Sequence, residues 1–355
     1  GMNTTEGTGS FGYYPDMASY QETVINAIGN NAEMGPPGIM HVYVGKSGGN
    51  NFQGSVYLDW YNNSLQASNL PDEYIARGIR KGGNEMLKYY DFNLNVGGPI
   101  KRDKLWWYFS YRDQKNAVAN PAFRFDKTFD TRLWNPSGKA TYLLNANNKF
   151  IGYYQWGQKI QPNRTDRGGI HLDPESTRNQ NSGSWVWKGE WNGTLSNNLY
   201  VEARYGDFGY YFPLLGYGDN PFRFDTGTLI IEGGDQRWQQ DRDRKQATVS
   251  ATYFKDGWGG SHNLKIGGEF DLETQWNGYE RIVAGNIDHR LFNGASRTVA
   301  FGFPTASGPL GSKGARKDML MIAKLDQLSA FFSDQWSLNN RLTLSLGVRY
   351  DHYKS

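Results

Sequence analysis

The sequence predicts an all-β fold, a transmembrane antiparallel β-barrel with about eleven strands in this chain. Three observations predict it. Apolar and polar residues alternate along many segments, the connections between segments are alternately short and long, and aromatic residues make up 15% of the 355 residues. Alternation gives each strand one apolar and one polar face, and short turns at one end with long loops at the other are typical of outer-membrane barrels.

The clearest hairpin joins an alternating segment from Lys88 to Val96, through a turn at residues 97–103, to a second one from Leu105 to Tyr111. Asn and Gly are frequent in such turns because they tolerate positive φ. Four similar hairpins follow, with turns at residues 145–148, 196–198, 256–260 and 338–340. The polar stretches between hairpins are predicted to be long loops, roughly residues 63–87, 113–137, 158–183, 207–244 and 274–326.

Composition excludes several classes of protein. The chain has no cysteine, which rules out disulfides and thiolate metal sites, and no apolar run approaches the roughly 18 residues of a spanning helix. The net charge is +3, and the charges of residues 241–245 alternate in sign, so no nucleic-acid partner is predicted. The mean hydropathy of −0.70 is compatible with a barrel, because only every second strand residue faces lipid.

The polar face of the predicted strands carries charged residues at alternate positions. A soluble β-sandwich could expose such a face to water, but the opposite faces are long, apolar and end in aromatic residues, with no helix available to cover them. A lipid-facing barrel is therefore favoured over the sandwich. The candidate lumen-facing residues are Lys265, Glu269, Asp271, Glu273, Arg341 and Arg349.

Near the N-terminus, residues 20–24 are followed by Asn31-Ala32-Glu33-Met34-Gly35, a strand over residues 38–44, and Lys46-Ser47-Gly48-Gly49-Asn50. This series resembles the end of the plug domain of TonB-dependent outer-membrane receptors, in the version of the Oar-like branch. Residues 1–5 resemble a segment from the middle of such plugs. The plug-end motif comprises Ala32, Glu33, Gly35, Lys46, Ser47, Gly48 and Asn50.

A second stretch, Leu328 to Asp351, resembles a barrel hairpin of the same family, with Asp334-Gln335-Trp336 followed by Arg341-Leu342-Thr343-Leu344 and Gly347-Val348-Arg349-Tyr350. The resemblance implies two domains, the C-terminal part of a plug (1–51) and the first part of a barrel (52–355). It also implies that plug sequence precedes Gly1 and that further strands follow Ser355, since a complete barrel would have about 22 strands.

The resemblance further implies a location in the outer membrane of a Gram-negative bacterium, in contact with outer-membrane lipid. The implied function is capture of a large, unidentified substrate by extracellular loops and its import through the plugged barrel, driven by the TonB complex in the periplasm. No cofactor, metal or catalytic residue is predicted, and the chain is not expected to be an enzyme. The alternative is a surface adhesin or assembly barrel without active import, because fold alone does not decide function.

Other sites have simpler explanations. Gly45-Lys46-Ser47 lacks the glycine and the following helix of a phosphate-binding loop. Glu269, Asp271 and Glu273 have a spacing that suits a glycosidase, but a charged lumen is the better interpretation. The five histidines show no metal-ligand spacing. The predicted loops carry aromatic and amide clusters at residues 210–212 and 238–240, which are the plausible surface for gathering a ligand.

Overall fold

The computed structural model describes residues 4, 13–26, 31–35, 40–79, 81–165, 168–218, 220–280, 287–301 and 308–355. Helical structure within these residues is limited to α1 (Asp72–Ala76) and four short 3-10 turns, at Met17–Ser19, Asn63–Leu65, Pro174–Ser176 and Lys313–Asp318. None of these helices is long and apolar enough to cross a membrane, a finding that concerns helices alone.

Strands make up most of the described residues. In chain order they are β1 (Tyr20–Asn26), β2 (Met40–Gly45), β3 (Gln53–Asn62), β4 (Met86–Lys101), β5 (Leu105–Val118), β6 (Phe129–Asn145), β7 (Asn148–Arg164), β8 (Ile170–His171), β9 (Arg178–Ser196), β10 (Leu199–Gly216), β11 (Phe222–Asp225), β12 (Ile230–Glu232), β13 (Arg237–Asp256), β14 (Ser261–Glu280), β15 (Ile287–Phe292), β16 (Ala295–Phe301), β17 (Met321–Asn339) and β18 (Leu342–Lys354).

Eleven of these strands form one continuous sheet in the order β3-β4-β5-β6-β7-β9-β10-β13-β14-β17-β18. Every neighbouring pair is antiparallel, and each strand lies beside the strands that precede and follow it in the sheet's chain order. The prediction of an all-β antiparallel fold with about eleven strands is confirmed. Each predicted short turn joins two neighbouring strands at the same end of the sheet.

The strands are longer than the sequence pattern predicted. β13 and β14 are each 20 residues long, about twice the length needed to cross the hydrocarbon layer. Much of the polar sequence assigned to loops between residues 113 and 326 is therefore strand. The prediction missed it because these distal halves lack the alternation: in β13 both faces are mostly polar, and in β10 both faces carry apolar or aromatic residues. Cross-strand hydrogen bonds nevertheless continue along the backbone.

The two faces of the sheet differ in chemistry. On the outer face, large apolar side chains remain exposed: Val348 is 64% and Ile266 60% accessible. On the inner face, polar residues are buried, including Asn93, Ser110 and Gln155. An apolar band left uncovered by the described residues is the surface expected against lipid.

A second, five-stranded sheet in the order β16-β15-β11-β12-β8 lies in the connections on the long-loop side. Asp225, at the end of β11, joins two of these connections. Its carboxylate accepts the backbone N–H groups of Gly227 at 2.9 Å and Thr228 at 3.2 Å within one turn. It also accepts those of Asn293 at 2.9 Å and Gly294 at 2.7 Å in the β15–β16 turn.

These four donors determine the charge state of Asp225. Burial raises the pKa of this carboxyl, but the backbone hydrogen bonds outweigh burial and hold its pKa below the usual range. A lowered folded-state pKa stabilises the loop sheet fully above the ordinary aspartate pKa of about 3.9. That stabilisation is lost as the pH falls through the folded-state value.

Asp225→Asn is expected to loosen this sheet at neutral pH, because the amide accepts fewer hydrogen bonds and carries no charge. Hydrogen exchange at fixed pH should become faster, by about tenfold, in peptides spanning residues 226–228 and 292–294. Asp126→Asn, at an exposed carboxylate in a neighbouring loop, is the matched control. Unchanged exchange in Asp225→Asn would contradict the role assigned to this carboxylate.

Candidate functional site

The described residues between Tyr13 and Asn50, here called the inner segment, pack against the inner face of the eleven-stranded sheet. Their core is a two-stranded antiparallel hairpin, β1 with β2, whose register places Thr23 opposite Tyr43. The backbone N–H of Lys46 extends this hairpin by donating to the carbonyl of Ser19 at 2.9 Å. The inner segment is therefore a small sheet packed against the inner face of the eleven-stranded sheet, which is here called the wall.

Asp16 is the most buried attachment point of the inner segment, with no accessible surface. One carboxylate oxygen caps the 3-10 turn by accepting from the N–H of Ala18 at 3.0 Å. The other accepts from the hydroxyl of Ser110 on β5 at 2.8 Å and from the amide of Asn93 on β4 at 3.3 Å. The carboxylate thus ties the local structure of the inner segment to two strands of the wall.

Tyr13 forms the aromatic part of the same interface. Its ring packs edge-on against Phe208 of β10, with centroids 5.7 Å apart, and its hydroxyl donates to Gln155 of β7 at 2.8 Å. Nearby, Tyr20 stacks on Tyr43 at 4.9 Å. Burial raises the pKa of Tyr20 to about 12, so its hydroxyl stays protonated and can donate at physiological pH.

Glu33 makes the longest-range contact of the inner segment. Lys265 of β14 lies with its ammonium 2.6 Å from the Glu33 carboxylate, and the same ammonium is 3.7 Å from Glu202 of β10. Arg349 of β18 donates to the backbone carbonyl of Glu33 at 3.0 Å. Two cations of the wall, on different strands, therefore hold one short turn of the inner segment.

Arg349 is itself fixed by carboxylates of the wall. Its guanidinium lies 3.0 Å from Glu269 and 2.8 Å from Asp351, and its side chain is 9% exposed. Beside it, a Cβ on Gly347 would lie 2.9 Å from the Cβ of Ala32. The glycine gives the turn at residues 31–35 room to approach the strand.

At its C-terminal end the inner segment runs along the short-turn end of the sheet. Lys139 donates to the carbonyl of Gly45 at 3.0 Å. The Asn50 side-chain oxygen accepts from the Trp106 indole at 2.7 Å and from the backbone N–H of Asp103 at 2.9 Å. A Cβ on Gly48 would lie only 2.1 Å from the carbonyl oxygen of Trp107, so only glycine fits there.

The structure thus brings four members of the predicted motif, Ala32, Glu33, Gly48 and Asn50, into contact with the wall. Gly35 has open space around its Cα, and Ser47 is exposed. The backbone of Lys46 pairs with Ser19. Residues 1–5 apart from Thr4, and residues 38 and 39 of the motif strand, lie outside the described part of the chain.

Most of the predicted lumen-facing charges lie on the inner face as ion pairs. Glu273 lies 3.2 Å from Arg242 and is also paired with Arg244. Asp271 is 5% exposed between the two flanking glutamates. Glu269 and Glu273 each have an arginine partner, which favours a charged lumen over a glycosidase pair of carboxylates. Arg341 differs from the other five, since it lies exposed in the turn before β18, outside the alternating pattern on which its assignment rested.

The aromatic and amide clusters assigned to loops lie on strands instead. Phe212 of β10 and Trp238 of β13 contact each other on the inner face at 5.8 Å, whereas Tyr211 and Gln239 point to the outer face. Among the described residues, no group of three or more potential ligands is arranged to hold a metal.

Sequence reasoning missed several residues of this interface. Tyr13, Asp16 and Lys139 belong to no motif, and their partners lie about 94 to 142 positions away. The only available signal was polarity on the inner face of β4 to β7, which indicates that something polar packs there but does not identify it.

A β-sheet with an apolar outer face, short turns at one end and a packed inner segment defines an outer-membrane β-barrel protein. Comparison with known proteins gives the family: a match to the family described as "Outer membrane beta barrel domain" covers residues 44–125 and 114–355. The chain belongs to this family, and it is located in the outer membrane of a Gram-negative bacterium.

Individual relatives agree with this assignment. The chain is 22% identical to the TonB-dependent transporter Oar of Myxococcus xanthus, over 96% of this chain and 39% of the relative. Its fold resembles the outer membrane transporter YddB of Escherichia coli, with a TM-score of 0.69, 11% identity, and coverage of 97% of this chain and 44% of the other.

Two solved structures whose names state a ligand are also similar in fold. The ferric citrate transporter FecA gives a TM-score of 0.59 at 11% identity, over 93% of this chain and 42% of the other. The siderophore receptor PirA of Acinetobacter baumannii gives a TM-score of 0.58 at 10% identity, over 89% of this chain and 41% of the other. The resemblance to TonB-dependent receptors is confirmed, and these relatives, none of them an enzyme, agree with the prediction of a non-enzymatic protein. The chain spans less than half the length of the relatives it matches.

Proposed function

We propose that this chain is part of a TonB-dependent receptor that imports a large substrate through a barrel closed by a plug. In this proposal, residues 1–51 are the C-terminal part of the plug and residues 52–355 are the first part of the barrel wall. The inner segment would be the part that moves when TonB, acting from the periplasm, pulls on the plug.

The observation that carries the proposal is the polar character of the interface between the inner segment and the wall. Asp16, Glu33 and Asn50 are held by hydrogen bonds and ion pairs at separate points. Water can replace each such contact when it breaks, so the net contribution of one hydrogen bond is only about 1 kcal/mol. Apart from the aromatic contact of Tyr13 with Phe208, the interface consists of separate polar contacts, so it can be opened stepwise, whereas a continuous apolar core cannot.

Plug movement can be tested without knowing the substrate, because the chain has no cysteine of its own. Ser19 is 2% exposed in the inner segment. The full-length receptor carrying Ser19→Cys would be treated with a membrane-impermeant maleimide in cells with and without TonB. Labelling is expected to be faster in cells that contain TonB. Ser68→Cys, at an exposed position in the connection between β3 and β4 on the long-loop side, gives the maximal labelling in both strains.

Equal labelling of Ser19→Cys in the two strains would contradict active import. If deletion of the receptor then also abolished adhesion between cells, the adhesin alternative would replace the proposal. The substrate itself is best identified from the intact receptor, by analysis of what co-purifies with it.

A further inference from the structure

The ammonium of Lys265 has two carboxylate partners, one in the inner segment and one in the wall. It lies 2.6 Å from Glu33, in the turn at residues 31–35, and 3.7 Å from Glu202 of β10. The side chain of Lys265 is 21% exposed and that of Glu202 17%, so water compensates an unpaired charge there only in part. One cation is therefore shared between the wall and an element that packs against it.

Glu202 belongs to a chain of ion pairs on the inner face of the wall. Arg204 of β10 lies 2.8 Å from Glu202 and 3.2 Å from Glu190 of β9. The ammonium of Lys188 lies 3.1 Å from Glu190. Through the shared ammonium, this chain ends at Glu33 of the inner segment. If Glu33 leaves, every cation of the chain still has a carboxylate of the wall beside it.

The other cation that holds the same turn is arranged in the same way. Arg349 donates to the backbone carbonyl of Glu33 at 3.0 Å. Its charge is balanced within the wall by Glu269 at 3.0 Å and Asp351 at 2.8 Å. The wall groups that bind Asp16 are a hydroxyl and an amide, which carry no charge. Breaking these contacts leaves neither cation without a carboxylate.

This arrangement lowers the cost of moving the turn at residues 31–35 away from the wall. Removing one partner of a shielded ion pair leaves the other charge uncompensated, which costs more than the pair itself contributes. Lys265 avoids this cost, because its flexible side chain can close the short gap to Glu202. The two carboxylates also repel each other while they share one ammonium.

We propose that Glu202 is the replacement partner of Lys265: as the inner segment leaves the wall, the ammonium passes from Glu33 to Glu202. Glu202 is thus a positioning residue that makes undocking of the turn easier without contacting the inner segment itself. The inference rests on the proposed function, in which the inner segment leaves the wall during import. The exchange of partners can nevertheless be measured without TonB or substrate, from the spontaneous opening of the turn.

The test is hydrogen exchange of residues 31–35 in the full-length receptor in detergent. The backbone N–H of Met34 donates to the carbonyl of Asn31 at 3.0 Å and reports opening of the turn. Glu202→Gln is expected to slow this exchange by about tenfold, because the ammonium then has no carboxylate once Glu33 leaves. Glu33→Gln is expected to make it about threefold faster, because the docked turn loses its own ion pair.

Two further comparisons separate the exchange of partners from a merely structural role of Glu202. In the Glu33→Gln background, Glu202→Gln should have no additional effect, since Lys265 then has the same partners whether the turn is docked or not. Glu190→Gln removes a carboxylate of the same chain that pairs with Arg204, and it should change the exchange of residues 31–35 by less than about twofold. A heat-dependent shift in gel mobility shows that each variant is folded.

Unchanged or faster exchange in Glu202→Gln would overturn the proposal, as would an equal slowing with Glu33 present and with Glu33 replaced. The result does not depend on energy coupling. Equal labelling of Ser19→Cys with and without TonB would contradict import but would leave the exchange rates of these variants unaffected, so the two failures can be told apart.

Discussion

Gly48→Ala is expected to disrupt docking of the inner segment, whereas Gly49→Ala, one residue further on, should have little effect. An added Cβ at Gly48 would lie 2.1 Å from the carbonyl oxygen of Trp107 and 3.0 Å from that of Gly98. Both are backbone atoms of paired strands, so neither can move away cheaply. Overpacking of this kind costs about 1–3 kcal/mol or more.

The measurement is hydrogen exchange of residues 45–50 in the full-length receptor. A cost of about 2 kcal/mol corresponds to roughly 30-fold more frequent opening. Gly49 provides the control, because nothing lies within 4 Å of a Cβ built there. If both alanine variants exchanged at the same rate, the close approach at Gly48 would have no energetic consequence. The role given to Gly48 in docking the inner segment would then be wrong.

Arg349→Met is expected to release the turn at residues 31–35 and to destabilise the wall itself. The substitution keeps most of the side-chain volume but leaves Glu269 and Asp351 without their shared cation. It also removes the donor to the Glu33 carbonyl. Breaking a buried ion pair by removing one partner costs on the order of 3–5 kcal/mol.

Two further variants separate charge from position in this prediction. Arg341→Met removes an exposed cation that precedes the same strand and forms no described ion pair, so its effect should stay within about 0.5 kcal/mol. Arg349→Met combined with Glu269→Gln should recover part of the loss, since one unpaired carboxylate is then neutral. A double variant no more stable than Arg349→Met, judged by urea unfolding, would contradict the pairing described here.

The contrast between Gly48 and Gly49 also shows which features of the interface can be predicted from the sequence alone. The motif containing both glycines was recognised from resemblance, but nothing in it distinguishes a glycine packed against backbone from one with open space. Likewise, alternation placed Lys265, Glu269 and Arg349 together on one face, but it could not identify their partners. Glu33 lies 232 positions from Lys265 and 316 from Arg349.

By itself, the sequence determined the strand faces, the short turns and the class of protein, because each depends on local chemistry with a period of two residues or on a tight turn. Only the tertiary structure decided how far the strands extend beyond the lipid, which charges pair, and that Lys265 lies within reach of both Glu33 and Glu202. These features depend on contacts between distant residues. The free energy of such contacts comes from burial and pairing that exist only once the sheet has formed.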